Sequence, residues 1–206
     1  MKTFYFIRHG QSAANTGAKS MPDLEIPLTL TGVQQAQDLL KKLSVSPSKI
    51  YCSELLRAKQ TAQVFFDFYK TIPENLECLN EFRYLGFETV SGMDGEERGK
   101  IAKRYWENAT IDYRDSNEVD SFQDFLGRVD FFLSKIHEFD DNSFFFGHGI
   151  WMALLAWRLL GCQIETTSDI QAFRQFQTAL PMHNTVTYKL LVSENGIKQL
   201  QKIEVQ

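Results

Sequence analysis

The most constraining stretch of this chain is at its start. Phe4-Tyr5-Phe6-Ile7 is an unbroken apolar run of four, the pattern of a strand covered on both faces inside a parallel sheet. It ends abruptly in Arg8-His9-Gly10. In open α/β sheets ligands bind just beyond the carboxyl ends of the strands, so a buried element delivers Arg8 and His9 to the edge where chemistry occurs. Gly10 removes a side chain where the backbone turns or is closely approached. Taken alone, the tripeptide suits two readings: a strand end where Arg8 caps the sheet and His9 bonds a neighbouring loop, or an anion pocket with a nucleophilic histidine.

Further along, the pattern alternates between strand and helix. Thr16 to Leu28 is rich in turn residues and reads as a loop beside the first strand end. Thr29 or Thr31 can cap a helix to about Leu43 with Val33, Ala36, Leu40 and Leu43 on one face. Ile50-Tyr51-Cys52 is a short strand, and the helix after it turns Ala58, Ala62, Phe65, Phe66 and Tyr69 inward. Pro73 reads as a break, and Leu76 to Leu79 as a third strand ending at Asn80-Glu81. Residues 83–117 mix glycines with aromatic and charged residues and read as an excursion from the sheet, helical around Glu97 to Trp106. Within and beside it, Arg83, Tyr84, Arg104 and Trp106 are expected on a solvated surface or against a substrate's leaving group.

Ser121 opens an amphipathic helix with Phe122, Phe125, Val129, Phe132 and Ile136 at helical spacing. Ser143 to Gly147 is a fourth strand, ended by His148-Gly149 and followed by an apolar helix to Leu160. A helix over Ser168 to Gln177 comes next. Val186 to Val192 and Ile197 to Val205 flank Glu194-Asn195-Gly196, a hairpin turn signal. This order predicts an α/β fold: an open, mostly parallel sheet with helices on both faces, an inserted, partly helical lid over 83–117, and a C-terminal hairpin. The 206 residues suit one domain.

Composition narrows the function. A net charge of −4 argues against a general nucleic-acid binder. Three separated cysteines, Cys52, Cys78 and Cys162, disfavour a disulfide framework or a zinc knot and fit a reducing compartment. The N-terminal apolar run is too short for a signal peptide. The stretch from Ile150 to Leu160 is interrupted by Arg158 and falls short of the roughly 20 residues a membrane span needs. A cytoplasmic protein without membrane partners is expected. The 17 phenylalanines are read as core.

His9, Arg57, Glu81 and His148 each fall at, or within one helical turn of, the end of a predicted strand, so all four can project into one crevice. Two guanidiniums, Arg8 and Arg57, with two histidines suit a dianionic tetrahedral group, because Arg matches phosphate oxygens with paired planar donors. The helix start near Arg57 adds unpaired N–H groups.

At this point a family resemblance enters. Arg8-His9-Gly10-Gln11-Ser12-Ala13-Ala14-Asn15 resembles the Arg-His-Gly-(Glu/Gln)-(Ser/Thr)-x-x-Asn motif of the histidine phosphatase superfamily, which includes the cofactor-dependent phosphoglycerate mutases. Pro27-Leu28-Thr29-Leu30-Thr31-Gly32-Val33-Gln34-Gln35-Ala36 is similar to its Pro-Leu-Thr-x-x-Gly-x-x-Gln-Ala stretch. Ser53 to Ala62 resembles Ser-x-x-x-Arg-Ala-x-Gln-Thr-Ala. Leu79-Asn80-Glu81, Gly147-His148-Gly149 and His183-Asn184-Thr185 follow in register.

The resemblance implies a phosphoglycerate mutase-like fold and a phosphohistidine formed on His9. It makes Arg8, Arg57 and His148 the phosphoryl binders, Asn15 a further donor and Glu81 the general acid and base. Gln11 and Ser12 in the loop, and His183 beside Asn184, are further substrate-binding candidates. It implies no cofactor and no metal, with a phosphorylated small molecule or a phosphoprotein as substrate. Mutases extend the first motif with a Trp-Asn step and an Arg- and Trp-bearing segment. Here Ala14-Asn15 and Thr16-Gly17-Ala18-Lys19 stand instead, which favours hydrolysis over the mutase alternative. A silent phosphate-binding module is the third reading. Substrate identity and oligomeric state stay open.

Overall fold

The computed structural model describes residues 1–203. Six strands form one sheet in the order β3-β2-β4-β1-β5-β6: β1 (Lys2–Arg8), β2 (Ile50–Cys52), β3 (Pro73–Asn75), β4 (Ser143–Gly147), β5 (Thr187–Val192) and β6 (Lys198–Lys202). The first four run parallel, while β5 and β6 are antiparallel additions beyond β1. The helices are α1 (Leu30–Lys42), α2 (Leu56–Tyr69), α3 (Phe87–Val90), α4 (Gly95–Asn108), α5 (Phe122–Lys135), α6 (Gly149–Leu159) and α7 (Thr167–Ala179). The expected α/β sheet, covered on both faces, is what forms.

The covering follows from side-chain alternation along the central strands. Phe4 and Phe6 of β1, with Phe145 of β4, face a core shared with α4, α5, α6 and α7. Tyr5 and Ile7, with Phe144 and Phe146, face a second core shared with α1 and α2. Phe6 stacks on Phe145 with centroids 5.1 Å apart and meets Phe132 edge-on at 5.7 Å, so the expectation that the phenylalanines are core holds on both sides. Of the 17, Phe68, Phe87 and Phe131 stay exposed.

Several boundaries differ from the sequence reading. The third strand is Pro73–Asn75, and Leu76 to Leu79 is instead one extended residue followed by a 3-10 turn over Glu77–Leu79. Pro73 did not break the strand because it is the first residue of an edge strand, where a missing N–H is tolerated. Helix α1 buries Ala36 and Leu39, leaving Val33 and Leu40 half-buried, and Thr29 rather than Thr31 caps it, accepting from Gly32 N–H. Trp106 and Tyr105 do not lie on a solvated surface. They are buried with Phe82, Phe122 and Phe125, so the excursion's helix α4 shares the main core, while Arg104 is exposed. The hairpin turns at Gly196, φ +83°. Glu204 and Val205, the end of the expected last strand, lie outside the described residues.

Candidate active site

Strand register brings the two histidines together. Arg8 of β1 pairs with Gly147 of β4, so His9 and His148 leave adjacent parallel strands side by side. His9 N–H donates to Gly147 O at 3.0 Å, and the ring centroids are 5.2 Å apart. A glycine follows each histidine, and at Gly10 it permits a close backbone approach. A Cβ on Gly10 would lie 2.3 Å from Gly32 O, and one on Gly149 would lie 3.3 Å from Arg8 Nε.

The His9 ring is buried, with 4% of its surface exposed. Its Nδ1 lies 2.7 Å from Gly10 O. A carbonyl only accepts, so Nδ1 carries the proton and Nε2 keeps a free lone pair. Burial, and then the cations Arg57 and Arg8, lower its pKa to about 3. The imidazole is therefore neutral at physiological pH. His148 is fully buried, and burial, Arg57, His9 and Arg8 hold its pKa well below the usual value. Its Nε2 lies 2.7 Å from Ser53 Oγ. Ser53 Oγ also accepts from Leu55 N–H at 3.1 Å. The other ring nitrogen, Nδ1, is buried and has no partner among the described residues.

The cations come from two directions. Arg8, at the end of β1, bonds the carbonyl of Met182, and its buried Nε has no partner among the described residues. Burial lowers its pKa, opposed by Glu81 and reinforced by Arg57. Arg57, in the first turn of α2, is buried. Its Nη1 pairs with Asp23 Oδ1 at 3.1 Å and donates to Asp23 O at 2.9 Å. Glu81 docks on the N-terminus of α6. Its Oε1 accepts from Phe82 N–H (3.0 Å) and Trp151 N–H (2.9 Å), and its Oε2 from Ile150 N–H (3.0 Å). Burial raises its pKa, while Ile150 N–H, Phe82 N–H, Arg57 and Trp151 N–H work against the rise. The first N–H groups of α6 thus go to Glu81.

The remaining predicted residues form the loop after β1. Ser12 is buried and its hydroxyl donates to Asn15 Oδ1 at 3.1 Å. Asn15 Oδ1 also accepts from Asn184 Nδ2 at 3.1 Å, which orients its amide with the oxygen taken. Gln11 Oε1 accepts from Thr29 Oγ1 at 2.8 Å. His183 is exposed and lines a separate cavity of about 250 Å³ with Gln35 and Lys42.

Residues that single-position reasoning missed do the holding. Thr61 Oγ1 accepts Gly10 N–H at 3.1 Å, Gln35 Oε1 accepts Gln11 N–H at 2.8 Å, and Gln60 Oε1 accepts Leu28 N–H at 2.7 Å. Asn184 Nδ2 and Thr185 N–H both reach His9 O, at 3.1 and 3.3 Å. Gln35, Gln60 and Thr61 lie within matched motif stretches, which was the available signal. Asp23 had none.

A cleft of about 370 Å³ adjoins the site, lined by Met21, Asp23 and Leu24 on one wall and by Phe82, Arg83 and Tyr84 on the other. His9 does not line it. The connection runs through Asp23, paired with Arg57, and Phe82, next to Glu81. Among the described residues no cluster of His, Cys, Asp and Glu is placed to hold a metal ion, and no helix is long and apolar enough to cross a membrane.

Known proteins resemble this chain in sequence and in fold. The family model for the histidine phosphatase superfamily (branch 1) matches residues 4–197. The adenosylcobalamin/alpha-ribazole phosphatase of Salmonella typhi is 30% identical over 165 residues, 76% of this chain and 78% of its own. Phosphoglycerate mutase 1 of Saccharomyces cerevisiae is 30% identical over 125 residues, 58% of this chain and 48% of its own. The crystal structure of the alpha-ribazole phosphatase from Shigella flexneri superposes with a TM-score of 0.76 at 22% identity, covering 98% of this chain and 95% of that one.

Proposed function

The chain belongs to the histidine phosphatase superfamily (branch 1), and from that premise we propose that it hydrolyses small phosphate monoesters through a phosphohistidine on His9. The observation that carries this reading is the His9 ring: neutral, its Nδ1 proton given to Gly10 O, its Nε2 lone pair free beside two guanidiniums. Nε2 attacks phosphorus and the bond to the ester oxygen breaks. Protonated Glu81, with its pKa raised by burial, gives its proton to that oxygen. Ionised Glu81 then takes a proton from water, the hydroxide adds to phosphorus, and the N–P bond breaks to restore His9.

Arg8, Arg57 and the Nδ1–H of His148 bind the equatorial oxygens and stabilise the charge spread over them. Asn15 adds its amide N–H, and Gln11 and Ser12 shape the loop beneath. No divalent metal is needed in this scheme, because the guanidiniums carry the positive charge. The excursion over 83–117 forms the lid on the cleft and, with the loop from Thr16 to Leu28, selects the leaving group. The relative named as an alpha-ribazole phosphatase makes a small phosphorylated metabolite the first substrate class to try.

Acid-quenched incubation with a radiolabelled monoester should trap an acid-labile, base-stable label in the wild type and none in His9→Ala, with inorganic phosphate accumulating without added metal. A His9→Ala protein that hydrolyses at the wild-type rate sinks the nucleophile assignment. Turnover that requires a bisphosphorylated sugar acid and releases no phosphate returns the mutase alternative.

A further inference from the structure

Outside the groups assigned above lies a mostly buried ion pair with no catalytic task. Asp120 precedes α5, and Arg128 sits within it. The guanidinium meets the carboxylate through two bonds of 2.7 Å each, the side chains being 19% and 9% exposed for Arg128 and Asp120. Burying such a pair is not an efficient source of stability, since apolar residues of similar volume commonly serve as well. What the pair supplies here is direction. Its remaining bonds converge on one tripeptide, Glu81-Phe82-Arg83.

Arg128 Nη2 donates to the carbonyl of Glu81 at 3.2 Å. Asp120 Oδ2 accepts from Arg83 N–H at 2.9 Å, and Asp120 N–H donates to Arg83 O at 2.9 Å. Between them, the Phe82 ring stacks on Phe125 of α5, with centroids 4.6 Å apart and planes within 9°. The backbone around Glu81 is thus fixed from α5, while its carboxyl is fixed from α6. The same contacts close the neck of the excursion, which leaves the sheet side at Arg83 and returns at Asp120.

We propose that Asp120 and Arg128 are positioning residues that hold Glu81 where its carboxyl can protonate the leaving oxygen. This rests on Glu81 being the general acid. Proton transfer demands hydrogen-bond reach, and a displacement of about 1 Å can cost roughly 100-fold in rate. With its carbonyl released, Glu81 would keep its contacts to α6 but lose its registration against His9.

The test compares kcat/KM, which reports the first half-reaction, for an alkyl phosphate such as glycerol 2-phosphate and for p-nitrophenyl phosphate, whose phenolate departs without a proton. Glu81→Gln should lower the alkyl-to-aryl ratio by about 100-fold or more. Arg128→Met and Asp120→Asn should each lower it by at least about tenfold, and Arg128→Lys, which keeps the charge and one bond, should recover part of the loss. Asp120→Asn is nearly isosteric and carries the test if Arg128→Met does not fold, as judged by circular dichroism. A purely structural role predicts that both substrates suffer equally. Clamp variants that leave the ratio at its wild-type value, while Glu81→Gln collapses it, overturn the proposal. A ratio untouched by Glu81→Gln overturns the general-acid assignment, and the clamp falls with it.

Discussion

Replacing His9 by Gln should make the protein markedly less sensitive to mild acid. Burial and two guanidiniums lower the His9 pKa from 6.5 to about 3, whereas in the unfolded chain it returns to the ordinary value. Between those limits the unfolded state binds the extra proton, so stability falls as pH drops through 6.5 and the loss levels off near 3. At pH 5 the linkage amounts to about 2 kcal/mol relative to pH 7.5, from about 1.36 kcal/mol per pH unit over roughly 1.5 units. Its size there barely depends on the folded value, provided that value lies well below 5. His148 adds a loss of the same sign, but both proteins share it.

Urea titrations of wild type and His9→Gln at pH 7.5 and 5.0 isolate the His9 contribution. With a slope of roughly 2 kcal/mol per M, the wild-type midpoint should fall by about 1 M more than that of the variant. Parallel shifts in the two proteins would mean that His9 titrates normally in the folded state, and the neutral-nucleophile argument would fail. The same neutrality predicts that no acid limb of the activity profile above pH 4 belongs to His9.

Two further outcomes follow from the loop beneath the site. Gly10→Ala would place a methyl carbon 2.3 Å from Gly32 O. Backbone must move, so stability should drop by about 1–3 kcal/mol, and thermal melts that overlay the wild type would refute the close approach. Thr61→Val leaves the Gly10 N–H buried without its acceptor, costing roughly 1–3 kcal/mol. Thr61→Ser keeps the hydroxyl and should melt near the wild type, and equal losses in Ser and Val would discard the hydrogen bond as the cause.

The strand reading succeeded where burial is two-sided. Phe4 to Ile7, Ile50 to Cys52 and Phe144 to Phe146 are apolar throughout because both faces of these strands are covered. Pro73–Asn75 escaped notice because it lies at the sheet edge, where exposure permits Pro-Glu-Asn. The excursion was hardest to read because Tyr105 and Trp106 pack on Tyr84, Phe122 and Phe173, which are distant in sequence, so no local period marks them as core.

The sequence by itself determined where β1, β2 and β4 end, the motif stretches around His9, Arg57, Glu81 and His148, and hence the chemistry that a crevice shared by them would favour. Side-chain identity and local periodicity are written in the chain, and they suffice for that. Only the tertiary structure decided that β1 lies beside β4 in the register that seats His9 against His148. The same is true of the α6 N-terminus receiving Glu81, of Asp23 pairing with Arg57, and of Asp120 with Arg128 gripping the Glu81 backbone. Each is a contact between segments distant in sequence, set by strand pairing and helix packing, and such contacts leave no local trace in the order of the residues.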